Sequence, residues 1–404
     1  MKYTLTLSCF LLVLLTSCAT YHRIKSNHLV TRATLGAQNF YQTIDYEYLY
    51  SLPVFSVEIE NKTYRFIFDT GGYTVFSDRL MDELSNIREV SYIDVKDGNN
   101  QTARIRTYLL DELKIGGIPF RNVGCAKIGF TEADWFTCLG VDGTIGPNIM
   151  KTCLWLFDNT TQSLVLTDQK DRLAILQQGT RVPIKTNNID KPLINFSIGN
   201  YTNELTFDTG FNGLLTLMQP RDSLLFEGYP SIEKIGHRSN AGNSIVRKNT
   251  RLVQLDTIHI GGLVLTGPIA RVEANSSSNS LGSRIFETHQ VLFHLAADEV
   301  YFQRFRAGTT SDEIQSFGFG YEFAAGKIIV SYVYQPSPAS RLGLVAGEEI
   351  LRINGQAYHF EDYCDFIDHF TEPAEEEVVL EVLRNGLPTL VSLRKAPLLA
   401  ELNR

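Results

Sequence analysis

Two Asp-Thr-Gly triplets, at residues 69–71 and 208–210, are the parts of this sequence best suited to chemistry. Each follows an apolar segment that ends in Phe-Asp. Two carboxylates that face each other at hydrogen-bond distance cannot both ionise cheaply, so they share one proton. The ionised carboxylate can then accept a proton from a water molecule, while the protonated one donates to a carbonyl oxygen. We therefore predict that Asp69 and Asp208 act as a pair, since either role needs its partner.

The remaining triplet residues have roles that fit a paired arrangement. We expect Thr70 and Thr209 to direct their hydroxyl groups across the interface and to lock the two loops together. Gly71 and Gly210 permit close backbone approach, and their N–H groups can stabilise the carboxylates. The alternative is a pair of ordinary turns without catalysis, because Asp and Gly are common in turns.

The two triplets occupy one position of an internal repeat. Residues 52–71 and 191–210 align without a gap and share eight identities, including the whole triplet. A later landmark recurs in the same order, with residues 142–146 matched by 278–282. Alternating apolar and polar residues indicate strands within each copy. We interpret the pattern as duplication of one mostly β module rather than as a solenoid of short units.

In these features the chain resembles the aspartic peptidases, and specifically a retropepsin-like domain duplicated within one chain. The resemblance covers residues 41–306 and implies two homologous β lobes with an active site on the pseudo-two-fold axis. It also implies that Asp69 and Asp208 are catalytic, that water attacks directly, and that the substrate is a peptide or protein. The implied boundaries are lobe 1 at 41–168, a linker at 169–180 and lobe 2 at 181–306.

The residues that follow the triplets depart from the family pattern. The family usually has Ala, Ser or Thr there, whereas this chain has Gly72 and Phe211. Neither side chain offers a hydroxyl to hydrogen-bond a carboxylate, and loss of that donor favours the protonated form. We therefore expect the pair to ionise closer to neutral pH than in a hydroxyl-bearing relative. Phe211 is also a candidate for crowding the site.

Turn-forming residues at 97–100 and 240–243 predict the tips of two hairpins. Hairpins at these positions are candidate flaps that would cover an extended peptide and hydrogen-bond to it. The alternative is two ordinary surface hairpins. The candidate flap residues are Asp97, Gly98, Asn99 and Gly242.

A third unit follows the repeat. Residues 316–320 are Ser-Phe-Gly-Phe-Gly, and residues 347–355 are Gly-Glu-Glu-Ile-Leu-Arg-Ile-Asn-Gly. Together they resemble a PDZ domain, an α+β fold, over residues 311–395. Such domains bind a peptide as an added strand, although a structural cap with an unused groove is the alternative. The resemblance implies that a terminal carboxylate binds backbone N–H groups of three residues: Gly318, Phe319 and Gly320.

The N-terminus is predicted to be a targeting signal. Residues 1–17 combine Lys2 with a short apolar run, and Leu-Thr-Ser-Cys at 15–18 resembles a bacterial lipobox. The resemblance implies acylation of Cys18, a tether over residues 18–40, and attachment to the cell envelope, at the periplasmic side of the outer membrane. An ordinary signal peptide with an incidental cysteine is the alternative.

Composition narrows the class of protein. The chain has 404 residues, of which 44% are hydrophobic and 20% charged, and this excludes a disordered chain or a multi-span membrane protein. A net charge of −8, without a basic stripe, disfavours nucleic acid as a partner. No zinc, phosphate or dinucleotide motif occurs, so we expect neither a metal nor an organic cofactor.

The cysteines beyond the signal leave disulfide pairing open. Cys125 and Cys138 are close enough in the sequence to pair, but only their geometry could decide it. Cys153 lies in an apolar run, and we expect it to be a buried free thiol. Cys364 falls in the third unit.

The sequence thus predicts a mostly β, membrane-tethered aspartic endopeptidase with a PDZ domain that recruits peptides. The alternative is a catalytically inactive lipoprotein that binds peptides in the same cleft and in the PDZ groove.

Overall fold

A computed structural model describes residues 29–96, 101–129, 135–220, 223–241, 244–274, 276, 278–306 and 315–399. The chain is mostly β, as expected. The predicted signal peptide, Cys18 and the candidate flap residues Asp97, Gly98, Asn99 and Gly242 lie outside the described residues. Within the described residues, no helix has the length and apolar character needed to cross a membrane.

The first unit contains twelve strands and three short α-helices within the described residues. The strands are β1 (Thr34–Leu35), β2 (Tyr41–Asp45), β3 (Glu47–Leu49), β4 (Leu52–Ile59), β5 (Lys62–Phe68), β6 (Val75–Ser77), β7 (Ile87–Lys96), β8 (Thr102–Ile115), β9 (Ile118–Ile128), β10 (Gly143–Ile145), β11 (Leu154–Asp158) and β12 (Ser163–Thr167). The helices are α1 (Asp78–Glu83), α2 (Trp135–Cys138) and α3 (Pro147–Met150).

The second unit is preceded by a 3₁₀ turn at Lys170–Arg172 and by helix α4 (Ile175–Gln178). Its strands are β13 (Thr180–Pro183), β14 (Lys185–Thr186), β15 (Pro192–Ile198), β16 (Tyr201–Asp208), β17 (Leu215–Met218), β18 (Ser231–Ala241), β19 (Ser244–Gln254), β20 (Thr257–Ile260), β21 (Leu263–Thr266), β22 (Ile269–Glu273), β23 (Asn279–Gly282), β24 (His289–His294) and β25 (Glu299–Arg304). Further 3₁₀ turns are Ser223–Phe226, Ser283–Glu287 and Leu295–Ala297.

The third unit contains β26 (Gln315–Ser316), β27 (Phe319–Ala324), β28 (Lys327–Gln335), helix α5 (Pro338–Arg341), β29 (Glu349–Ile353), helix α6 (Tyr363–His369), β30 (Glu377–Arg384), β31 (Leu387–Arg394) and β32 (Ala396–Pro397). A core of its own fills this unit, with Phe317, Val330 and Leu380 among the fully buried residues.

The two triplets leave their units through the same local topology. In the first unit β10 runs parallel to β5 and antiparallel to β6. In the second unit β23 runs parallel to β16 and antiparallel to β17. Each triplet therefore follows a strand that is hydrogen-bonded on both sides, so the backbone on its N-terminal side is fixed.

A six-stranded antiparallel sheet joins the two units, in the order β13-β25-β24-β11-β12-β2. The junction is β11 of the first unit against β24 of the second, with Trp155 opposite Phe293. The ring of Phe293 lies 5.2 Å from Phe68 and 5.1 Å from Phe207, centre to centre. These two phenylalanines precede the triplets, so one shared aromatic core supports both loops.

The third unit is joined to both others. Strand β28 pairs with β18 of the second unit, so their strands form one continuous sheet. Cys364 in α6 forms a disulfide with Cys138 in α2, at a sequence separation of 226. Cys125, the nearer candidate partner, is a buried free thiol, and so is Cys153 as expected.

Part of the expected tether belongs to the folded first unit. Thr34 and Leu35 form β1, which pairs with β9. Phe40 is buried, and its N–H donates to the carboxylate of Asp168 at 3.0 Å. An apolar side chain such as Phe40 gains free energy by leaving water, so this segment packs instead of remaining an open spacer.

Candidate active site

The carboxylates of Asp69 and Asp208 are fixed by their own loops. The Asp69 N–H donates to the Ile145 carbonyl on β10 at 2.9 Å. The Gly71 N–H donates to Asp69 Oδ1 at 2.9 Å, and the Gly210 N–H donates to Asp208 Oδ1 at 3.1 Å. Each triplet glycine therefore orients the carboxylate of its own triplet.

The two carboxylates face each other across the boundary between the units. Each carboxyl group influences the pKa of the other, as expected of two close acids. A Cβ atom placed on Gly71 would lie 2.2 Å from Asp208 Cγ, and one on Gly210 would lie 2.6 Å from Asp69 Cγ. Each glycine thus packs against the carboxylate of the opposite unit, and no larger residue fits there without movement.

The triplet threonines join the two loops by reciprocal hydrogen bonds. The Thr70 N–H donates to Thr209 Oγ1 and the Thr209 N–H donates to Thr70 Oγ1, both at 3.0 Å. The Thr209 hydroxyl donates to the Phe68 carbonyl at 2.7 Å, and the Thr70 hydroxyl donates to that of Phe207. Both threonines are fully buried, so each hydroxyl satisfies polar groups that water cannot reach.

Replacement of Thr70 by valine should therefore destabilise the junction between the units. The variant keeps the shape but leaves the Thr209 N–H and the Phe207 carbonyl without a partner, at a cost of about 1–3 kcal/mol for each orphaned group. Urea denaturation of the Thr70→Val variant measures this loss. Thr70→Ser retains the hydroxyl and is the control, so equal losses of stability in both variants would contradict the role of the hydrogen bonds.

Burial is the main cause of the raised pKa values of Asp69 and Asp208. It raises the pKa of Asp69 to about 7, with the neighbouring Asp208 carboxylate as the second cause. It also raises the pKa of Asp208. From the sequence alone, the lack of a hydroxyl after each triplet explains a raised pKa. In the structure, desolvation is the larger cause. The two groups titrate together, so the values belong to the pair.

Lys191 opposes this shift and was missed by the sequence reasoning. Its positive charge lowers the pKa of both carboxyl groups. Leu193 lies opposite Thr206 where β15 and β16 pair antiparallel. Extending this pairing by two residues places Lys191 opposite Asp208. In the first unit the same extension places Leu52, which is fully buried, opposite Asp69. The signal that could have found it is the Leu52–Lys191 mismatch at the first aligned position of the repeat.

Lys191→Met should therefore move the pH–activity profile towards higher pH. A carboxyl pair that loses a nearby cation holds its protons more tightly, so both limbs of the kcat/KM profile shift in the same direction. The exposed Lys185, which pairs with Glu204 on the same sheet, provides the control variant Lys185→Met. Superimposable profiles for Lys191→Met and the wild type would contradict the assignment.

At the positions after the triplets, backbone atoms rather than a hydroxyl group lie next to the two carboxylates. A Cβ on Gly72 would lie 2.2 Å from Asp69 Oδ2, so this carboxylate lies directly against the backbone. The Phe211 N–H donates to the backbone carbonyl of Asp208 at 3.1 Å, and its closeness lowers the pKa of the Asp208 carboxyl group. The Phe211 ring occupies space above Gly213 and Gly282, where a Cβ would collide with it. Both glycines belong to the second unit and make room for the ring.

The candidate carboxylate-binding residues of the third unit lie at the start of β27. The Gly318 N–H is already used, because it donates to Ser316 Oγ at 3.0 Å. Phe319 is buried in the core of its unit. A Cβ on Gly320 would lie 2.4 Å from the Tyr332 ring, so only glycine fits there. Sequence reasoning placed these residues in one loop but could not show the Ser316 hydrogen bond.

Among the described strands, β27 pairs with β28 alone, so its other edge has no partner strand there. Aromatic rings fill the space between β27 and α6. Phe323 stacks on Phe366 at 5.9 Å, and Tyr321 lies 4.9 Å from Phe370, measured between ring centres. The Tyr321 hydroxyl is buried and has no hydrogen-bond partner among the residues that the structure describes.

Comparison with known proteins adds a family match over the first unit. Residues 55–148 match the aspartyl protease family model. The matched segment contains Asp69 and its triplet, and it ends before the second triplet. The first unit therefore has an aspartyl protease-like sequence.

No curated protein matches this chain. Among solved structures, the chain is similar to the crystal structure of basic 7S globulin from soybean, with 10% sequence identity and a TM-score of 0.40. The alignment covers 67% of this chain and 95% of the globulin chain. This likeness is too weak to bear on function.

Proposed function

We propose that the protein is a single-chain aspartic endopeptidase whose catalytic residues are Asp69 and Asp208. The observation that carries the proposal is the face-to-face placement of two half-buried carboxyl groups, each packed against the triplet glycine of the opposite unit. A raised pKa keeps one carboxyl protonated near neutral pH while its partner is ionised, which is the state that the chemistry requires.

In the proposed reaction a water molecule binds between the two carboxyl groups. The ionised carboxylate accepts a proton from the water as its oxygen attacks the scissile carbonyl carbon. The protonated carboxyl donates to the carbonyl oxygen, giving a tetrahedral diol without a covalent intermediate. Proton transfer to the leaving nitrogen then breaks the C–N bond and releases an amine and a carboxylic acid. The threonine hydrogen bonds keep the two acids in register during these transfers.

Cleavage of a peptide library, with new termini identified by mass spectrometry, tests this proposal. We expect cleavage by the wild type, inhibition by a pepstatin-type compound, and no cleavage by Asp208→Asn. The competing function is peptide binding without hydrolysis. It would be favoured if the wild type and Asp208→Asn bound the library equally and neither generated new termini.

We further propose that the third unit is a PDZ domain that binds a peptide on the free edge of β27. The edge of β27 that no described strand pairs with supports this, because an added strand would hydrogen-bond to its backbone. Fluorescence anisotropy with matched peptides that end in a free carboxylate or an amide is the test. Equal affinity for the two peptides would contradict carboxylate recognition. To bind a carboxylate, the Gly318 N–H would have to give up its hydrogen bond to Ser316 Oγ.

For location, we propose that Cys18 is acylated and anchors the protein in a bacterial envelope, facing the periplasm. The Cys138–Cys364 disulfide supports an oxidising compartment. Metabolic labelling with a fatty acid analogue should mark the wild type but not Cys18→Ser. Labelling of both proteins, or of neither, would contradict the proposal.

A further inference from the structure

The β18–β19 hairpin of the second unit bends where it contacts the third unit. The register between the two strands shifts between Lys234 and His237, and Gly236 there has a φ of +81°. A shift of this kind is a β-bulge, which bends a strand and increases its twist. Just before the bulge, β18 pairs with β19 on one edge and with β28 of the third unit on the other.

One side chain of this hairpin spans the bulge and the third unit. Arg247 on β19 donates through Nη1 to the carbonyl of Gly236, at the bulge, and to that of Ser331 on β28, both at 3.0 Å. Its Nη2 donates to the carboxylate of Glu322 on β27 at 2.7 Å. The Glu322 side chain is only 9% exposed, so this carboxylate depends on protein donors, one of which is the Ser331 hydroxyl at 3.2 Å.

A second contact links the same hairpin to the loop after Asp208. Lys234 on β18 is buried, with its ammonium 3.8 Å from the centre of the Tyr332 ring on β28. Strand β19 also pairs with β22, and Arg271 on β22 lies 5.6 Å from the Phe211 ring centre. The hairpin therefore packs between the third unit and the residue that adjoins the second triplet.

We infer that Arg247 is a positioning residue that holds the β18–β19 hairpin against the third unit, and that this unit is thereby part of the enzyme's working structure. The inference rests on the proposed function for its kinetic consequence. It differs from the expectation for a recruitment module, since a module tethered by a linker would have no effect on substrates that it does not bind.

Kinetics of full-length variants on a short peptide amidated at its C-terminus test the inference. We expect Arg247→Met and Glu322→Gln each to raise KM about tenfold with little change in kcat, because a charged hydrogen bond of this kind contributes that much. The double variant should be no worse than Arg247→Met alone, since that variant already removes the ion pair with Glu322. Arg352→Met, which breaks an ion pair with Glu381 inside the third unit, is the control and should behave as the wild type.

Hydrogen exchange provides a readout that does not depend on activity. Backbone amides of β18 and β19 should exchange faster in both hairpin variants than in Arg352→Met, whereas those of β4 and β5 should be unchanged. Additive effects on KM, or unchanged exchange in the hairpin, would overturn the inference. If Arg247→Met does not fold, Glu322→Gln carries the test alone. If the wild type cleaves no peptide, the proposed function fails, while hydrogen exchange still decides whether Arg247 positions the hairpin.

Discussion

Replacement of either Asp69 or Asp208 by asparagine is expected to lower kcat/KM by about 10²- to 10⁴-fold, the range that general acid–base catalysis supplies. Asparagine keeps the size and shape of the side chain but cannot accept a proton from water. The two carboxyl groups work as one unit, so the double variant should be no less active than either single variant. Steady-state kinetics of the three variants on one peptide measure this, and multiplicative losses would contradict a shared proton.

The same substitutions should increase stability, which separates loss of chemistry from loss of fold. A carboxyl group whose pKa is higher in the folded than in the unfolded chain stabilises the fold at low pH, and this contribution disappears as the pH rises through the folded value. For Asp69 the window runs from its ordinary pKa of 3.8 to about 7. Thermal unfolding of Asp69→Asn should therefore show a gain over the wild type at pH 8 that shrinks by pH 4. A variant that is less stable than the wild type at pH 8 would contradict the buried charge.

The local patterns of the sequence predicted most of the candidate site. The triplets, the strands that precede them and the aromatic residues before each aspartate are all encoded within 20 aligned positions, so their geometry follows from strand pairing. The helical spacing of apolar residues over 78–87 predicts a helix there, and the structure has α1 at Asp78–Glu83. The Ser77 hydroxyl caps its start by accepting from the Leu80 N–H at 3.2 Å. It ends early because Leu84 is extended and leads into β7.

Contacts between units could not be predicted in the same way. The β18–β28 pairing joins residues about a hundred positions apart, and no local pattern specifies which strand edge meets which. The disulfide shows the same limit, since Cys138 bonds to Cys364 rather than to the nearer Cys125. Proximity along the chain left the pairing open because the decisive quantity is the distance between Cβ atoms.

The second large effect concerns this disulfide. Cys138→Ser combined with Cys364→Ser should lower the free energy of unfolding by about 2–4 kcal/mol, because the bond closes a long loop in the unfolded chain. It joins α2 of the first unit to α6, the helix beside β27, so its loss removes the covalent link between α6 and the first unit. The midpoint of urea denaturation measures the change.

Reduction of the wild type with a dithiol reagent is the matched comparison, since it breaks the same bond without changing a residue. The reduced wild type should match the double serine variant, and the variant itself should not respond to the reagent. Cys125 and Cys153 are buried thiols in which burial raises the pKa well above its ordinary value, so neither is reactive enough to confuse the result. If oxidised and reduced wild type unfold at the same urea concentration, the disulfide does not stabilise the attachment of the third unit. The β18–β28 pairing, the contacts of Arg247 and the burial of Leu398 and Leu399 against Ile232 would then hold it.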